Sequence, residues 1–340
     1  MIDIKEMLLI ILLIPLTAQS IVGGQSVEEG SLLERSTVSI HDGIASFCTG
    51  SVISNDLVLT AAHCISEMAT SDLYITYGVT AGDNKLYRVT KFKYIYLSNL
   101  DLALLATDKE LPLTPVNIGD PENLKIGNKL IQVGYGFTVD PDDDHFDFAN
   151  TDLGHLNYLN NNTLLYFFES EIFLNKHNSL LHRGLRVLEQ YETRTVEGDS
   201  GGPLYSNHHQ ELKLYGILHG GLFNNDTIDS TYTQPYHLIS WMNCALPKSK
   251  QLNSYPTLKN QIPCDGIPLK PITELKKFNN ERCMEMRPGY QFENEVYGCW
   301  PATEKTCAER AEHIDGLVWD QVSKRCIDPE TEKYLNDTTN

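Results

Sequence analysis

The most informative stretch of this chain is Gly198-Asp199-Ser200-Gly201-Gly202-Pro203. It places one serine directly after an acid and between glycines, a composition typical of a tight turn. Glycines let the backbone approach a reacting group closely and aim its N–H groups at that group. Because a hydroxyl alone is a poor nucleophile, such a turn carries out chemistry only if a base and an orienting acid lie beside it in the fold.

A base and an acid both occur upstream of this turn. Ala61-Ala62-His63-Cys64 follows the apolar run Leu57-Val58-Leu59, and Asp101 heads a second apolar run. The chain order His63, Asp101, Ser200 is the order of a chymotrypsin-type catalytic triad. Ser200 is therefore the candidate nucleophile, His63 the candidate base and Asp101 the candidate orienting acid.

The chain resembles the trypsin/chymotrypsin-like serine protease family over residues 21 to 246. Besides the serine turn, five motifs lie in family order, and they are Ile21-Val22-Gly23-Gly24, Cys48 to Ser54, Leu59 to Cys64, Gly134-Tyr135-Gly136, and Tyr232-Thr233 with Pro235 to Trp241. The resemblance implies an all-β fold of two six-stranded antiparallel β-barrels with a C-terminal helix. Short strand patterns between residues 36 and 135 agree with this fold. So does the apolar i, i+3, i+4 spacing of Leu238, Trp241 and Met242 within a helical segment at residues 235–245.

The resemblance also implies a serine endopeptidase that hydrolyses peptide bonds through an acyl-enzyme. In such an enzyme His63 accepts the proton of Ser200, and Asp101 holds the imidazole in its productive tautomer. The backbone N–H groups of Gly198 and Ser200 form the oxyanion hole. The competing class is a catalytically weak, protease-like binding protein, although such proteins typically lose a triad residue and this chain keeps all three.

A secretory signal is expected at residues 1–20. Lys5 precedes the apolar run Met7 to Leu16, which is too short to span a bilayer. Ala18-Gln19-Ser20 then offers the small residues that signal peptidase recognises. We therefore expect a secreted, extracellular protein whose protease domain spans residues 21–246.

Ile21 and Asp199 are the expected activation pair. By resemblance, the buried carboxylate of Asp199 pairs with the free α-amino group of Ile21 and thereby shapes the oxyanion hole, because a buried carboxylate without its partner is costly. Ile21 directly follows the expected cleavage site. We therefore expect signal peptidase itself to free the amine, without a zymogen stage.

The base of the specificity pocket departs from the family pattern. Arg194 lies six residues before Ser200, where trypsin-like members carry an aspartate. Cleavage after Lys or Arg is therefore disfavoured, since like charges would meet at a desolvated site. Arg194 either recognises an acidic side chain before the scissile bond, or is neutralised by a nearby acid such as Glu197, which leaves a shallow and undemanding pocket.

The walls of the pocket differ as well. His219-Gly220-Gly221 replaces the usual Ser-Trp-Gly segment, so His219 and Gly221 are candidate substrate-binding residues. Ser230 stands where a pocket-lining glycine is common, and Val196 replaces a cysteine. The replaced serine commonly supports the triad aspartate by a hydrogen bond, and a histidine is able to donate one instead.

The C-terminal part of the chain is rich in cysteine. A polar, breaker-rich linker at residues 247–263 leads to an extension at residues 264–340. Gly289 to Glu293 and Gly316 to Asp320 are each followed by a cysteine ten residues after the glycine, which predicts two small disulfide-pinned hairpins. The extension is either a plain structural addition or a module that binds a matrix or a carbohydrate, because this spacing loosely resembles cysteine-rich chitin-binding modules.

Eight cysteines in a secreted chain favour disulfides over metal sites. Cys48 and Cys64 match the disulfide that flanks the family's histidine motif. The extension holds an odd number of cysteines, so Cys244 is expected to pair with one of them, and Cys264 is a candidate. No metal ion and no cofactor is expected.

The formal charge of −18 makes nucleic acid and an anionic membrane surface unlikely partners, because like charges repel. The resemblance implies protein or peptide substrates, and protein inhibitors as further partners. The acidic cluster at residues 140–147 is a solvated loop or, alternatively, a calcium site that lacks the glycine and spacing of an EF-hand loop. The candidate glycosylation sites are Asn161, Asn225 and Asn336.

Overall fold

The computed structural model describes a mostly β protein. The described residues are 24–43, 46–66, 73–81, 85–97, 100–136, 165–175, 184–190, 195–196, 198–208, 211–224, 227–244, 246, 269–275, 290–292, 299–311, 317–322, 324–327 and 329. The expected signal peptide, the acidic cluster, the linker and the three sequons lie outside these residues, as do Ile21, Arg194 and Cys264.

Six strands of the N-terminal half form a closed antiparallel barrel. After β1 (Gln25–Ser26) and the short helix α1 (Leu32–Ser36), its strands are β2 (Thr37–His41), β3 (Ser46–Ser54), β4 (Leu57–Thr60), β5 (Tyr74–Thr76), β6 (Tyr87–Leu97) and β7 (Leu100–Thr107). They pair in the order β6-β5-β2-β3-β4-β7, and β7 pairs back onto β6. Alternating apolar side chains fill the interior, among them Val38, Val52, Ile75, Val89 and Leu105, all fully buried.

A second sheet follows along the chain. Its strands are β8 (Asn117–Ile118), β9 (Lys129–Gly134), β10 (Tyr166–Asn175), β11 (Gly184–Gln190), β12 (Pro203–His208), β13 (Glu211–Asn224) and β14 (Thr227–Thr233). The order is β1-β10-β11-β14-β13-β12-β9, and β9 pairs with β10 as well as with β12. The register of β13 against β14 shifts between Leu218 and Gly220, which makes His219 the extra residue of a β-bulge.

The closing helix lies at the end of this sheet. A 3₁₀ turn at Pro235–Leu238 leads into the α-helix α3 (Ile239–Asn243). The short helix α2 (His63–Ser66) lies earlier in the chain, after β4. The predicted apolar face of Leu238, Trp241 and Met242 is buried. Lys93 of β6 joins the barrel to this helix, because its buried ammonium donates to the carbonyl of Trp241 at 3.2 Å and lies 4.9 Å from the indole centroid.

The first part of the described extension packs against the first barrel. β15 (Lys270–Pro271) pairs antiparallel with β6. The 3₁₀ turn Ile272–Glu274 follows it, and Ile272 and Leu275 are buried in the core of the barrel. Ile272 and Leu275 therefore belong to the barrel's apolar core, although in sequence they lie far beyond the barrel strands.

Two short antiparallel strand pairs occur among the described residues of the extension. β16 (Tyr290–Phe292) pairs with β17 (Cys299–Pro301), and β18 (Val318–Asp320) pairs with β19 (Arg325–Ile327). The helix α4 (Glu304–Ala311) lies between them in sequence, and its Cys307 is bonded to Cys326 of β19. The side-chain amide of Gln291 exchanges two hydrogen bonds, at 2.7 and 3.0 Å, with the backbone of Cys326 and so joins the hairpins.

No helix within the described residues combines the length and the hydropathy that a membrane crossing requires.

Candidate active site

The structure brings His63 and Asp101 into direct contact. His63 begins α2 just after β4, and Asp101 lies near the start of β7, which pairs with β4. Nδ1 of His63 lies 2.5 Å from Oδ2 of Asp101, and the backbone N–H of His63 donates to Oδ1 at 2.9 Å. One carboxylate thus holds both the ring and the backbone of the histidine, which fixes the direction of the imidazole.

Asp101 is fully buried and ionised. Burial alone would raise the pKa of its carboxyl group. The imidazole of His63, the hydrogen bonds from His63 and the nearby His219 outweigh burial and hold this pKa below its usual value. A negative charge is therefore present beside His63 at neutral pH.

Ser200 lies in a turn that is anchored to the histidine segment. Its carbonyl accepts from the backbone N–H of Thr49 at 2.8 Å and lies 3.6 Å from Sγ of Cys64, the residue after His63. A disulfide of 2.03 Å joins Cys48 to Cys64. The serine turn and the histidine are thus attached to the same disulfide-linked pair of segments.

The second sheet holds the other side of this turn. The N–H of Gly201 donates to the carbonyl of Leu218 at 2.9 Å, and the N–H of Leu218 donates to the carbonyl of Gly202 at 2.8 Å. Gly198 and Gly201 have φ angles of +89° and +77°, which side chains rarely adopt. A Cβ at Gly201 would lie 2.1 Å from Oγ1 of Thr60, so the turn fits only a glycine there.

Asp199 is buried beneath the turn. Its carboxylate accepts from the backbone N–H of Gly136 at 2.7 Å and of Val196 at 2.9 Å. Gly134 and Gly136 leave it room, since a Cβ on either would lie 2.6 Å or less from a carboxylate oxygen. The expected partner Ile21 lies outside the described residues.

His219 faces the carboxylate of Asp101. The bulge places its side chain in the interior, only 8% exposed, with Nε2 3.8 Å from Oδ2 of Asp101. Asp101 also donates its backbone N–H to Oγ1 of Thr233 at 3.1 Å. Two strands of the second sheet therefore place polar groups around Asp101, with β13 near its carboxylate and β14 at its backbone N–H.

Two hydroxyls meet at the candidate specificity pocket. Oγ1 of Thr195 lies 3.2 Å from Oγ of Ser230, and Ser230 is fully buried on β14. Gly221 is exposed. Arg194, which precedes Thr195, lies outside the described residues.

One cluster of potential metal ligands occurs among the described residues, and it consists of Cys48, His63 and Cys64. Its two sulfur atoms are bonded to each other. Because thiolates rather than disulfide sulfurs bind metal ions, this cluster has the wrong donor chemistry for a metal site.

Sequence reasoning missed two residues of the site. Thr49 and Thr233 lie in the motifs Cys48 to Ser54 and Tyr232-Thr233, but the motifs indicate no role for either hydroxyl. Oγ1 of Thr49 contacts the serine turn itself, since it donates to the carbonyl of Gly198 at 2.9 Å. The available signal was the threonine between Cys48 and Gly50, but the partners of its hydroxyl, Tyr135 and Gly198, lie 86 and 149 residues away in sequence.

Comparisons with known proteins agree with this geometry. A family model described as Trypsin matches residues 21–242. The curated relatives include CLIP domain-containing serine protease C9 of Anopheles gambiae, 24% identical over 224 residues, which are 60% of this chain and 61% of the relative. Ovochymase-2 of Mus musculus is 42% identical over 66 residues, which are 19% of this chain and 10% of that protein. The chain thus spans about three fifths of the length of the first relative and a tenth of the second.

Proposed function

Because the chain belongs to the trypsin family of serine proteases, we propose that it is a secreted serine endopeptidase with Ser200, His63 and Asp101 as its catalytic triad. The observation that carries the proposal is the contact of 2.5 Å between Nδ1 of His63 and the buried carboxylate of Asp101. This carboxylate stabilises the imidazolium that forms when His63 accepts a proton.

The proposed reaction has two stages. Oγ of Ser200 attacks the carbonyl carbon of a peptide bond while His63 takes the hydroxyl proton. The tetrahedral intermediate collapses to an ester on Ser200 as the C–N bond breaks, and His63 gives its proton to the leaving amine. His63 then takes a proton from water as the water oxygen attacks the ester carbon, and it returns that proton to Oγ of Ser200 as the ester C–O bond breaks.

The backbone N–H groups of Gly198 and Ser200 are the proposed oxyanion hole. The positive φ of Gly198 and the two anchors of the turn on Thr49 and Leu218 support this role. Preorganised donors of this kind stabilise the developing oxyanion, and one of them contributes on the order of 3 kcal/mol in the transition state.

Labelling by a fluorophosphonate tests the proposal. Ser200 reacts with this reagent only if the base and the oxyanion hole are assembled. We expect the wild-type protein to be labelled and Ser200→Ala to remain unlabelled. A folded, secreted wild-type protein that takes no label would instead indicate a protease-like binding protein.

We propose the two-barrel architecture for the protease domain. The first barrel is closed, and the pairing of β9 with both β10 and β12 supports a second one. The apolar run at residues 7–16 and the bonded cysteines support secretion.

We propose a cleavage specificity other than that of trypsin. Arg194 would oppose a basic side chain at the pocket base, and the contact between Thr195 and Ser230 supports a pocket with polar hydroxyls on its wall. Arg194 either recognises an acidic side chain of the substrate or is neutralised by a nearby acid. A peptide-library cleavage profile of wild type and Arg194→Gln separates these two interpretations. A preference for Asp or Glu that disappears in the variant indicates direct recognition, and equal broad profiles indicate an undemanding pocket. Cleavage after Lys or Arg would contradict both.

Asp199 is the proposed acceptor of the α-amino group of Ile21. Its burial and the two backbone N–H groups that donate to it support a carboxylate that is held beneath the turn and ready to accept a cation. N-terminal sequencing of the secreted protein tests the expected start at Ile21. A start upstream would imply a pro-peptide and a separate activation step.

The extension is a proposed matrix- or carbohydrate-binding element. Retention of the full-length protein on chitin, compared with a protein that ends after residue 275, tests this role. Equal retention would leave only a structural role for the hairpins.

A further inference from the structure

Thr49 has all of its polar groups engaged around the serine turn. Its backbone N–H donates to the carbonyl of Ser200 at 2.8 Å, and its hydroxyl donates to the carbonyl of Gly198 at 2.9 Å. The same hydroxyl accepts from the backbone N–H of Tyr135 at 2.9 Å. Its carbonyl accepts from the hydroxyl of Thr60 at 2.7 Å. The residue is fully buried, so water does not compete for these bonds.

These bonds hold the serine turn at both ends. The carbonyls of Gly198 and Ser200 are the two groups of the turn that Thr49 binds, and the proposed oxyanion donors are the N–H groups of the same two residues. A glycine backbone rotates freely unless its peptide groups are fixed. With the carbonyl of Gly198 fixed by a side chain, the rotation available to that residue is restricted.

The hydroxyl also connects the turn to the site of Asp199. Tyr135 donates to Thr49, and the next residue, Gly136, donates to the carboxylate of Asp199. One buried oxygen therefore links the turn that carries Ser200 to the loop that holds the acid beneath it.

We propose that Thr49 is a positioning residue for the oxyanion hole. Its hydroxyl holds the peptide unit that joins Gly198 to Asp199, and its backbone N–H holds the unit that joins Ser200 to Gly201. The backbone on either side is thereby restricted, so that the N–H groups of Gly198 and Ser200 converge on the developing oxyanion. This inference rests on the proposed protease function and adds to it a residue that touches neither the substrate nor the reacting atoms.

The main variant is Thr49→Val, which keeps the shape and removes the hydroxyl. Thr49→Ser keeps the hydroxyl and is the conservative rescue. Thr37→Val is the matched control, because Thr37 is also fully buried and its hydroxyl lies 3.4 Å from that of Tyr205 in the core, not at the serine turn. Thr49→Ala replaces the main variant if the valine prevents folding.

The first measurement is turnover of a peptide substrate by the full-length secreted proteins. For Thr49→Val we expect kcat to fall by about 10- to 100-fold with KM unchanged, because an oxyanion donor acts in the transition state. Thr49→Ser and Thr37→Val should keep kcat close to wild type. An unchanged kcat in Thr49→Val, an equal loss in Thr49→Ser, or a change confined to KM would overturn the proposal.

The second measurement is amide hydrogen exchange of the segment 198–203, followed by mass spectrometry. We expect faster exchange of this segment in Thr49→Val than in wild type or Thr37→Val. Unchanged exchange would overturn the positioning role. This readout needs no turnover, so a wild-type protein without activity refutes the proposed function while hydrogen exchange still decides the role of Thr49.

Discussion

Nε2 of His219 lies 3.8 Å from Oδ2 of Asp101, the same oxygen that contacts Nδ1 of His63 at 2.5 Å. Two imidazoles therefore face one buried carboxylate. The charge of Asp101 favours the protonated form of His63, and the second imidazole near the same oxygen offsets part of that charge. The β-bulge at His219 is what allows a residue of β13 to reach this position.

Replacing His219 should shift the pH dependence of catalysis. In His219→Phe the full charge of Asp101 acts on His63, so His63 keeps its proton to higher pH. We expect the acid limb of kcat/KM to move to higher pH. The movement should be smaller in His219→Ser, which places a hydroxyl near the carboxylate. The measurement is kcat/KM against pH for the three proteins. Superimposable acid limbs would show that His219 has no electrostatic effect on the triad.

Two glycines near the site should respond differently to substitution. A Cβ at Gly201 would meet Oγ1 of Thr60, the carbonyl of Thr49 and the backbone N of Ala61 at 2.1 to 2.8 Å. We expect Gly201→Ala to destabilise the protein by about 3 kcal/mol or more and to abolish fluorophosphonate labelling.

Gly220→Ala is the matched control for that substitution. No heavy atom of the described residues lies within 4 Å of a Cβ added there, so stability and labelling should be close to wild type. Denaturant unfolding and labelling of the two variants check the contrast. Equal effects in both would contradict the close approach of Gly201 to β4 and its neighbours.

The extension should contribute to the stability of the first barrel. Ile272 and Leu275 are buried in the core of the first barrel, although they lie beyond residues 21–242, which match the family model. We expect Ile272→Ala and Leu275→Ala each to cost about 2–4 kcal/mol, the usual range for a buried large-to-small change.

Val318→Ala is the control for these substitutions, since Val318 is 47% exposed and its truncation should be nearly neutral. Urea unfolding measures all three changes. Wild-type stability of both core variants would show that residues 270–275 do not support the barrel.

The sequence predicted the parts of the site that short motifs define. His63 and Ser200 stand in compact motifs, and the closing helix follows from local apolar spacing. Its observed form is a 3₁₀ turn at Pro235–Leu238 followed by α3. The mostly β fold, the closed first barrel and the short helix agree with what the resemblance implied.

The remaining features depend on contacts between distant segments. The bulge that turns His219 towards Asp101 is a property of the register between β13 and β14, and no local pattern specifies that register. The role of Thr49 requires the meeting of three segments. The pairing of Lys270 and Pro271 with β6 joins the extension to the barrel, and the composition of residues 264–340 contains no signal for this pairing.

The phenol of Tyr205 should make the protein sensitive to alkali. Its OH donates to the carbonyl of Ser36 at 3.0 Å in the core, and burial raises its pKa from 10.0 to about 12. Between these values the unfolded chain releases the proton and the folded protein keeps it. Stability from this group is therefore fully present below pH 10 and is lost as the pH rises towards 12.

Tyr205→Phe removes this titration. We expect the variant to be less stable than wild type at pH 8 by about 1 kcal/mol, because a buried hydrogen bond is lost. The difference should shrink between pH 10 and pH 12, since only wild type then loses the contribution of the phenol. Burial also raises the pKa of Tyr135, but that group is present in both proteins and cancels in the comparison. Urea unfolding at pH 8, 10 and 11 measures the two stabilities, and parallel curves across this range would contradict the raised pKa of Tyr205.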